Sequence, residues 1–403
     1  MTVFKKRLYE ERKLTYLLAL FSLTNSSVPP ALTDTDSLKE VIDCLAEHIS
    51  VETQGACDQE TLFNILVRAA SLGDSIENTA KSLKDVPTGN DIRYHLDKIN
   101  NFEELESQLN KALKSRILPR LKKRQQRVAI DLNLIPYYGE PSADELPYIY
   151  RSKAKDGTCS FYAYATLYVI KKGKRVTLAI RGVRRGDTNV AIITYLLAEL
   201  CSLKLKIHSL YLDRGFFSAS VIRWLKALDI PFKMPAIVRG KQGGIRQLLT
   251  GGRSYKATYT MESKDKRSVT FNLWIVCTYK TGKRGQYGIE YFTYVVHKVQ
   301  LSLTAIHQDY RRRFGIESSY RLKNQCRITT TTKKPGLRLL FVGLAFLIVN
   351  IWIYLLWRFI SKPRCGGRLI YRQLFGLKQM LAFLRQAVDR IHQVVEAVYL
   401  PSG

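Results

Sequence analysis

The chain has 403 residues, 46% hydrophobic and 24% charged, the composition of a globular protein with length for about two to four domains. Its charge is out of the ordinary at +30, and it is unevenly placed: residues 1–110 hold 11 basic and 18 acidic side chains, residues 111–403 hold 53 and 16. A field of that strength over the last three quarters favours a polyanionic partner, with nucleic acid first and an anionic membrane surface as the rival. The seven cysteines form no CxxC pair. That argues against a zinc ribbon and a disulfide framework, and suits a reducing cytosol. The six histidines show no HxH or HExxH spacing, so no zinc site is indicated.

In chain order, Leu14–Leu23 is apolar but lacks the small-residue cleavage site of a signal peptide. Residues 1–110 read as a helical N-terminal domain, with apolar residues at helical spacing over Leu38–Ile49 and Glu60–Leu72. Residues 74–99 have the outline of a helix-turn-helix around Val86-Pro-Thr-Gly-Asn, with Asn90 or Asp91 as cap and Arg93, Tyr94, His95 and Lys98 as candidate DNA contacts. Residues 111–127 form a basic linker of eight cations and no acid, in which Lys122, Lys123 and Arg124 are candidate phosphate contacts.

Strands are expected at Val128–Ile135, Phe161–Ile170, Arg175–Ile180, Lys206–Asp213 and Pro231–Val238, with the turn Lys171–Lys174 between the second and third. Helices are expected at Asp187–Leu203 and Ser218–Leu228. That order implies a mixed α/β sheet with helices on its faces. Residues 239–291, rich in Gly, Lys, Arg and Tyr, read as a β insertion with strands at Tyr255–Met261 and Ser268–Thr278, ending near Tyr291–His297. His307–Lys323 reads as a helix on which Tyr310, Arg313 and Glu317 share a face. Leu339–Trp357 is apolar apart from Asn350, and residues 361–403 read as a basic tail with one amphipathic helix near Leu369–Val398.

Asp131 and Asp213 lie within or at the end of otherwise apolar strands, where a carboxylate is costly unless compensated. In a mixed sheet their strands can be neighbours, and a helix returning after the insertion can add Glu317. Three converging carboxylates suit two hard cations, the arrangement that serves phosphoryl transfer.

Ile130-Asp131-Leu132, Tyr211-Leu-Asp213-Arg-Gly-Phe216 and Tyr310-x2-Arg313-x3-Glu317 resemble, in order, the DDE transposases of bacterial and archaeal insertion sequences. The last stretch resembles the Tyr-Arg-Glu signature of the branch with a β insertion, and the 104 residues from Asp213 to Glu317 leave room for one. The resemblance covers roughly residues 125–360 and implies a ribonuclease-H-like catalytic domain at 128–238 and 292–360. It implies Asp131, Asp213 and Glu317 as the catalytic carboxylates holding two Mg²⁺, for which Mn²⁺ can substitute. Tyr310 and Arg313 would contact DNA phosphate. The family's signature continues to a Lys where Asn324 stands here; Lys323 and Arg321 are the nearby cations.

The implied function is metal-dependent cleavage of double-stranded DNA at element ends followed by strand transfer, by a homodimer on paired ends, cytoplasmic, nucleoid-associated and without a membrane. The rivals are a ribonuclease-H-like nuclease or resolvase without strand transfer, a non-catalytic DNA-binding regulator, and a basic membrane-anchored protein. The last would use 339–357, long enough to span a bilayer, against a buried core helix.

Overall fold

The computed structural model describes residues 31–170, 176–262, 266–280, 288–365 and 367–397. The expected turn Lys171–Lys174 and the apolar stretch Leu14–Leu23 lie outside them. At the centre is β1 (Gln126–Pro136). β2 (Ile149–Lys155) and β4 (Thr177–Gly182) pair with different stretches of β3 (Thr158–Val169), which runs antiparallel to β1. On the other side β5 (Ile207–Leu212) runs parallel to β1, and β6 (Phe232–Pro235) parallel to β5. This is a ribonuclease-H-like mixed sheet.

β7 (Tyr255–Glu262), β8 (Ser268–Lys280) and β9 (Gly288–His297) form an antiparallel ribbon. The ribbon continues the same sheet, because β9 pairs with β6 from Phe232–His297 to Pro235–Tyr294, giving nine strands in all among the described residues. The inserted strands therefore widen the sheet, and β9 crosses the boundary expected at 291/292.

Successive strand residues face opposite sides of a sheet. Val128, Ile130, Leu210 and Leu212 belong to the larger core. Ala129, Tyr168 and Tyr211 belong to the smaller one, with Trp274, Ile306, Tyr310 and Ile316. Helices α1 (Asp34–His48), α2 (Gln59–Leu72), α3 (Ile76–Lys81), α4 (Gly89–Asp97), α5 (Phe102–Ser115) and α6 (Pro119–Lys122) precede the sheet. α7 (Asn189–Cys201) and α8 (Ala219–Ala227) bury their apolar residues in the larger core. α9 (Leu303–Arg311) and α10 (Gly315–Gln325) cover the smaller one.

α11 (Pro335–Arg358) is buried along almost its whole length. Asn350 explains how a polar group sits there: its amide donates to the carbonyls of Leu113 (3.2 Å) and Thr177 (2.7 Å) and accepts from Thr177 N–H (3.0 Å). It thus ties α11 to α5 and β4 at once. At Gly343 the helices approach so closely that a Cβ would stand 2.5 Å from the Leu109 side chain.

Three sequence expectations change. The tail is a hairpin of β10 (Ser361–Arg364) and β11 (Gly367–Ile370), then α12 (Leu377–His392), which packs on α1 and α2 and pairs Asp389 with buried Arg68 at 2.6 Å. The expected helix start at Leu369 is thus strand. The linker at 111–127 is taken up by the end of α5, by α6 and by the start of β1, with Lys114 paired to Glu199 and Arg116 to Glu40. In the 74–99 segment the cap of α4 is Thr88, in a capping box with Asp91. His95 is buried against the Glu52 carbonyl and so is not free for DNA, while exposed Arg93 pairs with Glu77.

Candidate active site

The last matched pair of β1 and β5 is Ile130–Leu212. One residue further on each parallel strand stand Asp131 and Asp213. By the alternation of the pleat both share the face of Ala129 and Tyr211, the face that α9 and α10 cover. Asp131 is cross-strand from Thr166 and its side chain is 14% exposed; Asp213, beyond the strand end, is 40% exposed.

The segment carrying Glu317 is not one straight helix. α9 stops at Arg311, a tight 3₁₀ turn spans Arg312–Phe314, and α10 restarts at Gly315. Three hydroxyls fasten it to the sheet. Tyr310 donates to the Leu212 carbonyl (2.9 Å), Tyr168 donates to the Gly315 carbonyl (3.3 Å), and Tyr320 shares a 2.8 Å hydrogen bond with Thr166, the neighbour of Asp131. The turn directs Arg313 inward: its guanidinium lies 3.4 Å from Asp131 and 3.2 Å from Asp213, and the residue is 7% exposed. Glu317, in the first turn of α10, faces solvent but is close enough to act electrostatically on Asp131.

Burial pushes the Asp131 carboxyl up to about 6; Arg313 opposes the rise, while the charges of Asp213 and Glu317 add to it. The two acids therefore repel Asp131, the enclosed member of the three. Burial acts to lower the pKa of Arg313, and its interactions with Tyr310, Asp213, Asp131 and Glu317 outweigh it. Among the described residues no three His, Cys, Asp or Glu side chains form a ready metal cluster; the Arg313 guanidinium bridges the two aspartates in the protein by itself. Beside Asp213 opens a cleft of about 430 Å³ walled by Tyr291, Phe292 and Tyr294 of β9 and by His307 and Phe314.

Of the expected phosphate contacts, Lys122, Lys123, Arg124 and Arg321 are exposed. Tyr310 and Lys323 are not: they are 5% and 3% exposed, because Tyr310 is spent on Leu212 and α11 closes over Lys323, whose amine lies 5.8 Å from the Phe346 ring. Burial depresses Lys323 to about 8, aided by Arg327. Both expected DNA contacts are corrected on that ground, and so is Arg313, 7% exposed with its guanidinium paired to Asp131 and Asp213. Lys122, Lys123 and Arg124 precede β1, seven to nine residues before Asp131, roughly 23–30 Å if the chain were fully extended.

Sequence reading missed Thr166, Tyr168 and Tyr320, which carry no charge to mark them. It also missed Asp309 and Lys233, a buried ion pair under the site. Lys233 inside the apolar stretch Pro231–Val238 was a legible signal, being a cation in need of a partner.

Residues 122–351 match the family model described as Transposase DDE domain. No curated protein matches the chain. Among solved structures it is similar to a piggyBac transposase in a synaptic complex with hairpin DNA, solved by cryo-EM. The identity is 10% over 90% of this chain and 81% of that one, with a TM-score of 0.54, a likeness of fold.

Proposed function

Because the chain belongs to the DDE transposase family, we propose that it is an insertion-sequence transposase of the Tyr-Arg-Glu branch, cutting double-stranded DNA at element ends and joining them to target DNA. The observation that carries this reading is the placement of Asp131 and Asp213 on adjacent strands and one face, both held by Arg313. Transposases cleave and transfer DNA; the assignment of Asp131, Asp213 and Glu317 as the catalytic carboxylates is our proposal.

The residues suit Mg²⁺, two ions with Mn²⁺ as a substitute, in their chemistry. All three supply hard oxygen donors, and one is enclosed. Three carboxylates against one guanidinium leave negative charge uncompensated; Asp131 is pushed up to about 6 mainly by burial, with Asp213 and Glu317 adding to the rise. When bound, such ions activate the attacking oxygen and neutralise the leaving one. The chain's own residues do the rest. Tyr310, Thr166, Tyr168 and Tyr320 hold the Glu317 helix to the strands, and Arg313 keeps the two aspartates together while no other cation is present. Exposed Lys122, Lys123, Arg124 and Arg321 attract the phosphate backbone. We place the protein on paired ends as a homodimer, at the nucleoid in the cytoplasm.

The test uses purified protein, duplexes carrying the DNA that flanks the gene on each side, a supercoiled target and Mg²⁺. Joined products are expected. Cleavage without joining would leave a nuclease or resolvase, and no cleavage under any divalent ion would sink the reading.

A further inference from the structure

Beneath the carboxylates lies a second charged cluster that the chemistry above does not use. Asp309 is 5% exposed, Lys233 1% and Tyr211 0%. One oxygen of Asp309 accepts hydrogen bonds from the Tyr211 hydroxyl (2.7 Å) and from Lys233; the other lies 3.2 Å from Arg312. Tyr211 and Lys233 are register partners on β5 and β6, and the Lys233 amine sits 4.2 Å over the Tyr211 ring. Asp309 is thus clamped to two strands, and Tyr211 stands two residues before Asp213.

A buried ion pair is a poor device for stability, since apolar residues of similar volume often do as well or better. What it supplies is direction. Apolar contacts let a helix slide, whereas one carboxylate between donors from two strands permits one register. Asp309 precedes Glu317 by eight residues, and the 3₁₀ turn with Arg313 lies between them. A one-residue slip of α9 would carry that segment about 1.5 Å along the helix axis and about 100° around it. A constellation of ligands tolerates roughly 0.5 Å.

We propose that Asp309 and Lys233 are positioning residues that fix the register of the Glu317-bearing segment on β5 and so set how strongly Asp131, Asp213 and Glu317 hold divalent metal. The proposal rests on the metal-holding role given above to those three carboxylates.

The test is Mn²⁺ binding to the DNA-free protein, followed by electron paramagnetic resonance, with hydrogen exchange of residues 303–325 and thermal unfolding alongside. The variants are Asp309→Asn, which keeps the shape and the Tyr211 hydrogen bond, and the double variant Asp309→Leu/Lys233→Met, which removes both charges. The double variant is expected to melt near the wild-type temperature, removal of the buried ion pair offsetting the lost Tyr211 hydrogen bond, yet weaken Mn²⁺ binding about 10- to 100-fold and speed exchange across 303–325. Asp309→Asn is expected to shift both readouts in the same direction. A double variant with wild-type Mn²⁺ affinity and wild-type exchange would overturn the proposal, leaving the pair as filler. A wild-type protein that bound no Mn²⁺ would instead overturn the carboxylate assignment; the clamp would then stand or fall on the exchange rates alone.

Discussion

The guanidinium of Arg313 spans Asp131 and Asp213, at 3.4 Å from one and 3.2 Å from the other. It is their counter-ion in the protein by itself. Arg313→Met should leave two facing carboxylates uncompensated and lower stability in metal-free buffer. Losing one partner of a fully buried pair costs about 3–5 kcal/mol, and partial solvation of Asp213 reduces that to roughly 2 kcal/mol. Added Mg²⁺ should raise the melting temperature of this variant more than that of the wild type. Equal metal-induced shifts would show that Arg313 is not the counter-ion.

Asp131→Ala, Asp213→Ala and Glu317→Ala should each abolish cleavage of an end-containing duplex in Mg²⁺, a loss on the order of 4 kcal/mol or a thousandfold. Binding measured by gel shift should survive or tighten, because a negative charge near phosphate is gone. By contrast Arg321→Ala should reduce the slope of log affinity against log salt by about 1, as expected of an exposed phosphate contact. Wild-type cleavage by Asp213→Ala or Glu317→Ala would remove the three-carboxylate site.

What was legible follows from what period and composition can carry. The central strands were readable because their alternation or apolar runs survive burial on one or both faces. The two aspartates stood out because so few acids interrupt the basic part of the chain. Glu317 was readable as the acid on a helix returning after the insertion, sharing a face with Tyr310 and Arg313. The 3₁₀ break at Arg312–Phe314 was invisible, since helical spacing of Tyr310, Arg313 and Glu317 describes a straight helix and Gly315 alone does not announce a turn. The burial of Lys323 depends on α11 crossing α10, and the β10–β11 hairpin depends on pairing between short polar segments. Those are tertiary relations, with no local periodic signal.

Asn350 offers a test of what holds the long apolar helix. Its side chain satisfies three backbone groups on two other elements. Asn350→Leu makes the segment more apolar, yet it leaves the Leu113 carbonyl and both polar groups of Thr177 without that partner in a dry core. Unsatisfied buried groups cost about 1–3 kcal/mol each. The variant should therefore lose on the order of 3 kcal/mol, read as an earlier midpoint in urea at an unchanged slope. An unchanged midpoint would mean that the helix is not locked to β4 and α5 as described.

Lys323 gives the sharpest pH dependence. Its folded-state pKa, depressed to about 8 from 10.5 by burial and then by Arg327, means that the fold disfavours the charged amine. Below pH 8 the lysine is charged in both folded and unfolded chains, and the whole penalty opposes folding. Between pH 8 and 10.5 the folded protein sheds the proton first, and the penalty fades; above 10.5 it is gone. The contribution of this one group to stability thus rises with pH across that window. Lys323→Met, apolar and of similar length, should stabilise the protein near pH 7 by up to about 3 kcal/mol. Its advantage over the wild type should shrink steadily as the pH passes from 8 to 10.5. Chemical denaturation of both proteins at pH 7, 9 and 10.5 measures that difference. An advantage independent of pH would mean that Lys323 finds a compensating charge, and a destabilised variant would mean that its amine makes a contact the fold needs.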